Sequence, residues 1–149
     1  MKPMQLNSLD PYDWSEFVAA SKTEGHGMVE RLVSEFHAGA NTFNEQGEAL
    51  FALVEDGRII GVAGLNREPD STLAGSGRIR RLYVLPGRRG RGLGRLLVDE
   101  VTRAAARHFE MLTANAGTLD ARRFYDHLGF KPVRHPGITH AKSLARPPS

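Results

Sequence analysis

Apolar residues along this chain recur with two different periods, and the periods predict the elements. Met4 to Leu9 has the length of a short first strand. Asp10 stands before Pro11 as a candidate N-cap, and Trp14, Phe17 and Val18 then predict a helix. Ser21 to Gly27 reads as loop. Met28, Val29, Leu32, Val33 and Phe36 recur at the helical period and predict a second helix ending near Gly39. The pattern then turns to strands. Ala49 to Val54 is a continuous apolar run, Glu55-Asp56-Gly57-Arg58 carries the Asp-Gly hairpin signal, and Ile59 to Leu65 forms the return strand. Residues 66–77 are polar and glycine-rich and predict a flexible connection.

The second half alternates strand and helix. Ile79 to Val84 predicts a strand bracketed by Pro86-Gly87. Leu93, Leu96, Leu97, Val101, Ala104 and Ala105 form a helical stripe, and Phe109 to Ala114 is a further strand. Ala121, Phe124, Tyr125 and Leu128 predict a short helix closed by Gly129 at its C′ position. Phe130 to Val133 and Ile138 to Leu144 complete a strand pair around His135-Pro136-Gly137. The order β-α-α-β-β-β-α-β-α-β-β implies an α/β fold of α+β character with a mixed sheet. Residues 1–145 are expected to form one domain, with 146–149 a disordered tail.

Composition narrows the chemistry. The 149 residues suit one domain, and the chain has no cysteine, so disulfides and cysteine nucleophiles are excluded. No metal is expected. The first residues lack the apolar core of a signal peptide, and no run is long enough to span a membrane, so a cytoplasmic address is expected. The net charge is only +3, but arginine is concentrated locally. Arg78, Arg80, Arg81, Arg88, Arg89, Arg91 and Arg95 follow one another with no acid between them. Such a block attracts polyanions, nucleic acid or a phosphorylated cofactor.

The glycines inside that block favour a cofactor. Arg89-Gly90-Arg91-Gly92-Leu93-Gly94 lies between a strand and a helix, where unpaired backbone N–H groups and the helix dipole attract anions. The glycines are expected to admit a phosphate to the backbone, with Arg89 and Arg91 adding charge. A plain βα turn is the bland alternative. No Gly-Lys-Ser/Thr is present, nor the G-x-G-x-x-G spacing, so neither a Walker loop nor a dinucleotide fingerprint applies.

Arg89-x-x-Gly92-x-Gly94, after Leu82-Tyr83-Val84-Leu85-Pro86, resembles motif A of the GNAT superfamily of N-acetyltransferases. Ala121-Arg122-Arg123-Phe124-Tyr125-Asp126-His127-Leu128-Gly129-Phe130 is similar to motif B. The likeness runs from about Ala49 to Leu144, with both motifs in the family's order. It implies a GNAT-like fold and an acyl-CoA-dependent N-acyltransferase, with acetyl-CoA as cosubstrate and an unidentified amine as acceptor.

The resemblance also implies roles. The backbone of Arg89, Gly90, Arg91, Gly92, Leu93 and Gly94 would hold pyrophosphate. Strand Ile79 to Val84 would splay from Phe109 to Ala114, and pantetheine would pair with Leu82 and Val84. Asn115 or Thr118 would touch CoA, since Thr118 stands where relatives carry asparagine. Tyr125 would protonate the leaving thiolate, with core packing as the alternative reading.

Relatives place a glutamate on the strand before motif A, but Arg78 to Val84 has no carboxylate. Glu68, Asp70, Glu110, a histidine or a water chain is left as the base, with His26 and His37 read as surface residues. The acceptor pocket is expected from Ser21 to Gly27 and Asn66 to Gly77. A CoA-binding sensor with little catalysis is the alternative, and a nucleic-acid binder a more distant one, since only Tyr83 interrupts the arginine block as a stacking aromatic. No membrane partner is expected, and a homodimer is left open.

Overall fold

The computed structural model describes residues 1–73 and 75–144; the expected tail at 146–149 lies outside them. Strands β1 (Met4–Gln5), β2 (Ala49–Glu55), β3 (Arg58–Arg67), β4 (Ser76–Val84), β5 (Met111–Ala114), β6 (Lys131–His135) and β7 (Ile138–Ser143) form one sheet in the order β1-β2-β3-β4-β5-β7-β6. All neighbours are antiparallel except β4 and β5, which run parallel. Four helices accompany it: α1 (Ser15–Thr23), α2 (Met28–Ala38), α3 (Leu93–Ala106) and α4 (Leu119–His127). This is the expected element order.

β3 is buried from Ile59 to Asn66 because helices and loops cover both faces of the sheet. Gly61 faces Leu97 of α3, while Gly64, an odd number of residues away, faces the ring of Phe43. Phe17 of α1 packs edge-on against Tyr83 of β4 at 5.2 Å, on the Phe43 side. Val29 and Leu32 of α2 are fully buried there, as their helical spacing predicts, each contributing about 1.5–3 kcal/mol of transfer free energy.

Several boundaries differ from the pattern, and distant partners explain the start of α1 and the ends of β3 and β4. Helix α1 begins at Ser15, and Asp10 does not cap it. The N–H of Asp13 donates to Gly57 O (2.9 Å), and its carbonyl accepts from Ile59 N (3.0 Å), so the β2–β3 hairpin holds this segment extended. The Asp13 carboxylate then accepts from Ser15 N at 2.9 Å and Ser15 Oγ at 2.6 Å. At the other end of α1, Ser21 is still helical and buried rather than loop.

Residues 66–77 are not all loop. Asn66 and Arg67 extend β3, and Ser76 and Gly77 begin β4, paired Asn66↔Arg78 and Arg67↔Gly77. The polarity of Asn66 is absorbed by Asn41, with two amide bonds of 3.0 Å, and by Glu48 at 3.0 Å. Finally, β1 keeps only two residues, and β5 starts at Met111. Among the described residues no helix is long and apolar enough to cross a membrane.

Candidate active site

Strands β4 and β5 pair only at Ser76↔Met111, Gly77↔Leu112 and Arg78↔Thr113. Beyond this point β5 ends at Ala114, while β4 continues to Val84 against β3 alone. The sheet therefore forks, as the resemblance implies. A cleft of about 1070 Å³ opens from the fork, walled by β4, the turn after it, and the chain from Asn115 to Tyr125.

The fork is clipped by a buried carboxylate. Glu68, its side chain 3% exposed, accepts from Thr113 Oγ1 of β5 at 2.8 Å and lies 3.6 Å from the Arg78 guanidinium of β4. Arg78 also donates to Gly137 O in the β6–β7 turn at 2.8 Å. Where pairing stops, β4 bulges. Val62 faces Tyr83 and Gly64 faces Arg80, so β4 carries one residue more than β3, and Arg81 adopts φ 60°. A left-handed arginine in a strand is strained, and such strain gathers at functional sites.

The glycine turn meets the cleft at the N-terminus of α3. Gly90 (φ 79°) and Gly92 (φ 74°) are left-handed, and Gly92 starts α3 with no side-chain cap. The first helical bond runs from Leu96 N to Gly92 O, so the N–H groups of Leu93, Gly94 and Arg95 have no acceptor inside the helix. A Cβ on Gly90 or Gly92 would meet nothing within 4 Å, whereas one on Gly94 would stand 3.3 Å from the Phe124 ring. Gly90 and Gly92 therefore serve backbone conformation, and Gly94 lets α3 approach α4. That refines the expectation that all three clear space for an anion.

The side-chain charge of the turn is largely spent elsewhere. Arg89 forks onto Glu24, the C-cap of α1 (2.9 and 2.6 Å), donates from Nε to Val84 O at 3.1 Å, and lies over the Tyr83 ring at 5.3 Å. The Arg89 guanidinium, and then the Tyr83 hydroxyl, hold the Glu24 carboxyl at about 2, below its ordinary 4.5. Burial, then Glu24, pushes Tyr83 up to about 12. Arg88 pairs with Glu55 and Arg95 lies 3.9 Å from Asp99. Arg91 is exposed and is not among the residues that line the cleft. An anion at this turn is left with main-chain donors and the dipole of α3.

Leu82, Val84, Arg89, Gly90, Gly92, Leu93, Gly94, Asn115, Thr118 and Tyr125 do line one cleft, although they come from separate stretches of sequence. Thr118 also serves the fold, because its hydroxyl caps α4 by accepting from Ala121 N at 3.1 Å. Tyr125 is buried between Phe124 (5.5 Å) and Phe130 (5.1 Å), and its hydroxyl has no hydrogen-bond partner among the described residues. Burial raises its pKa well above the ordinary tyrosine value, so the phenol stays protonated at neutral pH.

Of the base candidates, Glu68 is engaged in the clip, Asp70 and Glu110 lie off the cleft wall, and His37 is exposed. His26, read from sequence as a surface residue, is partly buried on the wall, 6.0 Å from the Tyr83 ring. His140 escaped the sequence altogether. It is buried in β7, bonded to Asp126 of α4 (2.8 Å) and Thr139 (2.8 Å), and its ring lies 6.0 Å from Tyr125. It ties the helix carrying Tyr125 to the sheet. A histidine on a strand next to Thr139 offers no local signal of that partner.

The family model of the acetyltransferase (GNAT) domain matches residues 46–132, the span holding the fork, the turn and α4. This chain belongs to the GNAT family of acetyltransferases. A solved structure from Exiguobacterium sp. 255-15, assigned as an acetyltransferase, is 31% identical, with a TM-score of 0.83 over 95% of this chain and 92% of that one. A GNAT protein of Desulfovibrio desulfuricans is similar at 22% identity and a TM-score of 0.71, covering 96% and 98%. The toxin AtaT, solved with acetyl-CoA and the C-terminus of its antitoxin AtaR, is 17% identical with a TM-score of 0.74, covering 96% and 92%. The last two bear on the fold alone. The GNAT fold thus accounts for the mixed sheet and its fork.

The features of the cleft fit the family's cofactor. The uncapped start of α3 suits a diphosphate, and the β5-facing edge of β4 beyond Arg78 suits an amide-bearing arm.

Proposed function

We propose that this protein transfers an acetyl group from acetyl-CoA to a primary amine, by direct attack within a ternary complex. The observation that carries the reading is the forked sheet opening onto the uncapped N-terminus of α3. Acetyl-CoA supplies the activated acyl group as a thioester. The main-chain N–H groups from Gly90 to Gly94 hold its diphosphate, and the backbone of Leu82 and Val84 pairs with its pantetheine. Asn115 and the mouth formed with Thr118 border the same arm.

Tyr125 is the proton donor to the departing sulfur. Its buried phenol is protonated across the working range and has no competing protein acceptor among the described residues. The acceptor amine, with an ordinary pKa of about 10.4, must lose a proton before attack. We assign that step to His26, directly or through water, because it is the histidine on the cleft wall. A cytoplasmic address and a small-molecule or protein acceptor belong to the same reading.

The test is binding followed by turnover. CoA at a hundred times its Kd should stabilise the protein by about 2.7 kcal/mol and raise Tm by roughly 5–10 °C. Thiol release from acetyl-CoA should then depend on added amine. Folded protein with no shift at millimolar CoA refutes the cofactor site. A shift without amine-dependent thiol release leaves a CoA-binding sensor instead.

A further inference from the structure

Most of the arginine block is paired with acids, and the half-buried Arg80 is an exception. Arg78 lies beside Glu68, Arg81 donates to Glu35 of α2 at 3.0 Å, Arg88 pairs with Glu55, Arg89 with Glu24 and Arg95 with Asp99. Arg91 is exposed to water. Arg80 is partly buried, yet its guanidinium has no hydrogen-bond or ion-pair partner among the described residues. Burial first, then the charges of Arg81 and Arg78, pull its pKa below the ordinary arginine value. Next to it, Arg81, its side chain 9% exposed, is held by Glu35 and leaves only its Nε without a partner among the described residues. A half-buried guanidinium without a direct partner, set in a cavity wall, is free to fork onto an anion from outside the chain.

Arg80 stands where two cavities adjoin. It lines the large cleft, and it also lines a cavity of about 310 Å³ on the α2 side, beside Glu35, Asn41, Glu48 and Asn66. That volume suits a small molecule. The α3 N-terminus, where the cofactor's diphosphate is assigned, borders the large cleft alone.

We propose that Arg80 is the specificity-determining residue for the acceptor, and that it holds the carboxylate of a small amine that also bears a carboxylate, such as an amino acid. The inference rests on the acetyl-CoA reading of the cleft and names its second substrate. A guanidinium fork matches a carboxylate bidentately. The charges of Glu35 and Glu68 also act on Arg80, and they disfavour a doubly charged phosphate ester there. The same carboxylates favour the ammonium end of a zwitterion.

The experiment uses the full chain with acetyl-CoA and matched trios of acceptors: an amino acid, its amide and its decarboxylated amine. The carboxylated member should be preferred in kcat/KM by at least about 10²-fold. Arg80→Met should lower kcat/KM for that member by on the order of 10²-fold, mostly through KM, and erase the preference. Arg80→Lys should keep part of it, since the charge survives and the fork does not. The thermal shift with CoA should persist in both variants.

Wild-type enzyme that acetylates neutral amines as well as carboxylated ones, or none of the carboxylated ones, overturns the proposal. So does an unchanged preference in Arg80→Met, or, if that variant does not fold, in Arg80→Lys. Loss of the CoA shift in the variants alone would assign Arg80 to the cofactor and also overturn it. Absence of the CoA shift in the wild type is a different failure, that of the acetyl-CoA reading itself.

Discussion

Replacing Tyr125 by phenylalanine removes one oxygen and tests whether that oxygen does chemistry. The hydroxyl has no protein partner among the described residues, so its loss breaks no hydrogen bond within the fold. The ring keeps its contacts with Phe124 at 5.5 Å, Phe130 at 5.1 Å and His140 at 6.0 Å. Stability should therefore stay within about 0.5 kcal/mol of wild type. The kinetic effect is bounded by the leaving group. A thiol of pKa about 8.5 departs fairly well as thiolate, so kcat should fall by on the order of 10²-fold or less, about 2.7 kcal/mol at most. Single-turnover acetyl transfer isolates the chemical step, and titration checks that the CoA Kd stays within a few-fold. Because burial keeps the phenol protonated, the loss should be constant between about pH 6 and 9. An unchanged single-turnover rate would make Tyr125 a packing residue.

His26→Gln should lower kcat for acetyl transfer while leaving the CoA Kd within a few-fold; a variant with unchanged kcat passes the role of base to water or another group. Glu24→Gln should change acid stability. Glu24 sits at about 2 in the fold against an ordinary 4.5, so its contribution is complete above 4.5 and is lost as pH falls toward 2. Wild type should lose stability more steeply than the variant across that window, and parallel pH–stability curves would contradict the pairing with Arg89. Gly64→Ala would drive a methyl into the Phe43 ring, costing about 1–3 kcal/mol. Urea unfolding should show a lower midpoint at the same slope, and an unchanged midpoint would mean that Phe43 yields freely.

What could be read from sequence was whatever depends on near neighbours. The strand–turn–helix around Gly90 and Gly92 was legible because left-handed glycines and a helix start are local properties. The α2 stripe of Val29 and Leu32 was legible because a helix repeats its buried face. Contacts between distant residues were not. Nothing near Arg89 announces Glu24, and nothing near Asn66 announces Asn41 and Glu48. As a result, the turn looked more cationic and the β3–β4 connection longer than either is. Asp10 resembled a helix cap because the bonds of Asp13 to Gly57 and Ile59 cross more than forty residues of chain. His26 was passed over for the same reason: only the packing of the α1–α2 loop against Tyr83 brings it to the cleft.

The fork has a consequence for protein that has not met its cofactor. Past Arg78, β4 carries a row of backbone donors and acceptors with no strand on the β5 side, in the middle of the sheet rather than at its rim. Such an edge is a template for any extended chain, including the same segment of another molecule. The bulge at Arg81 and the arginines around it make poor strand partners, so the means of discouraging self-association lie on the same stretch of β4 that is proposed to take the cofactor arm. If the pantetheine arm pairs with β4 as proposed, CoA takes the place of the missing strand, and solubility on storage should follow cofactor occupancy.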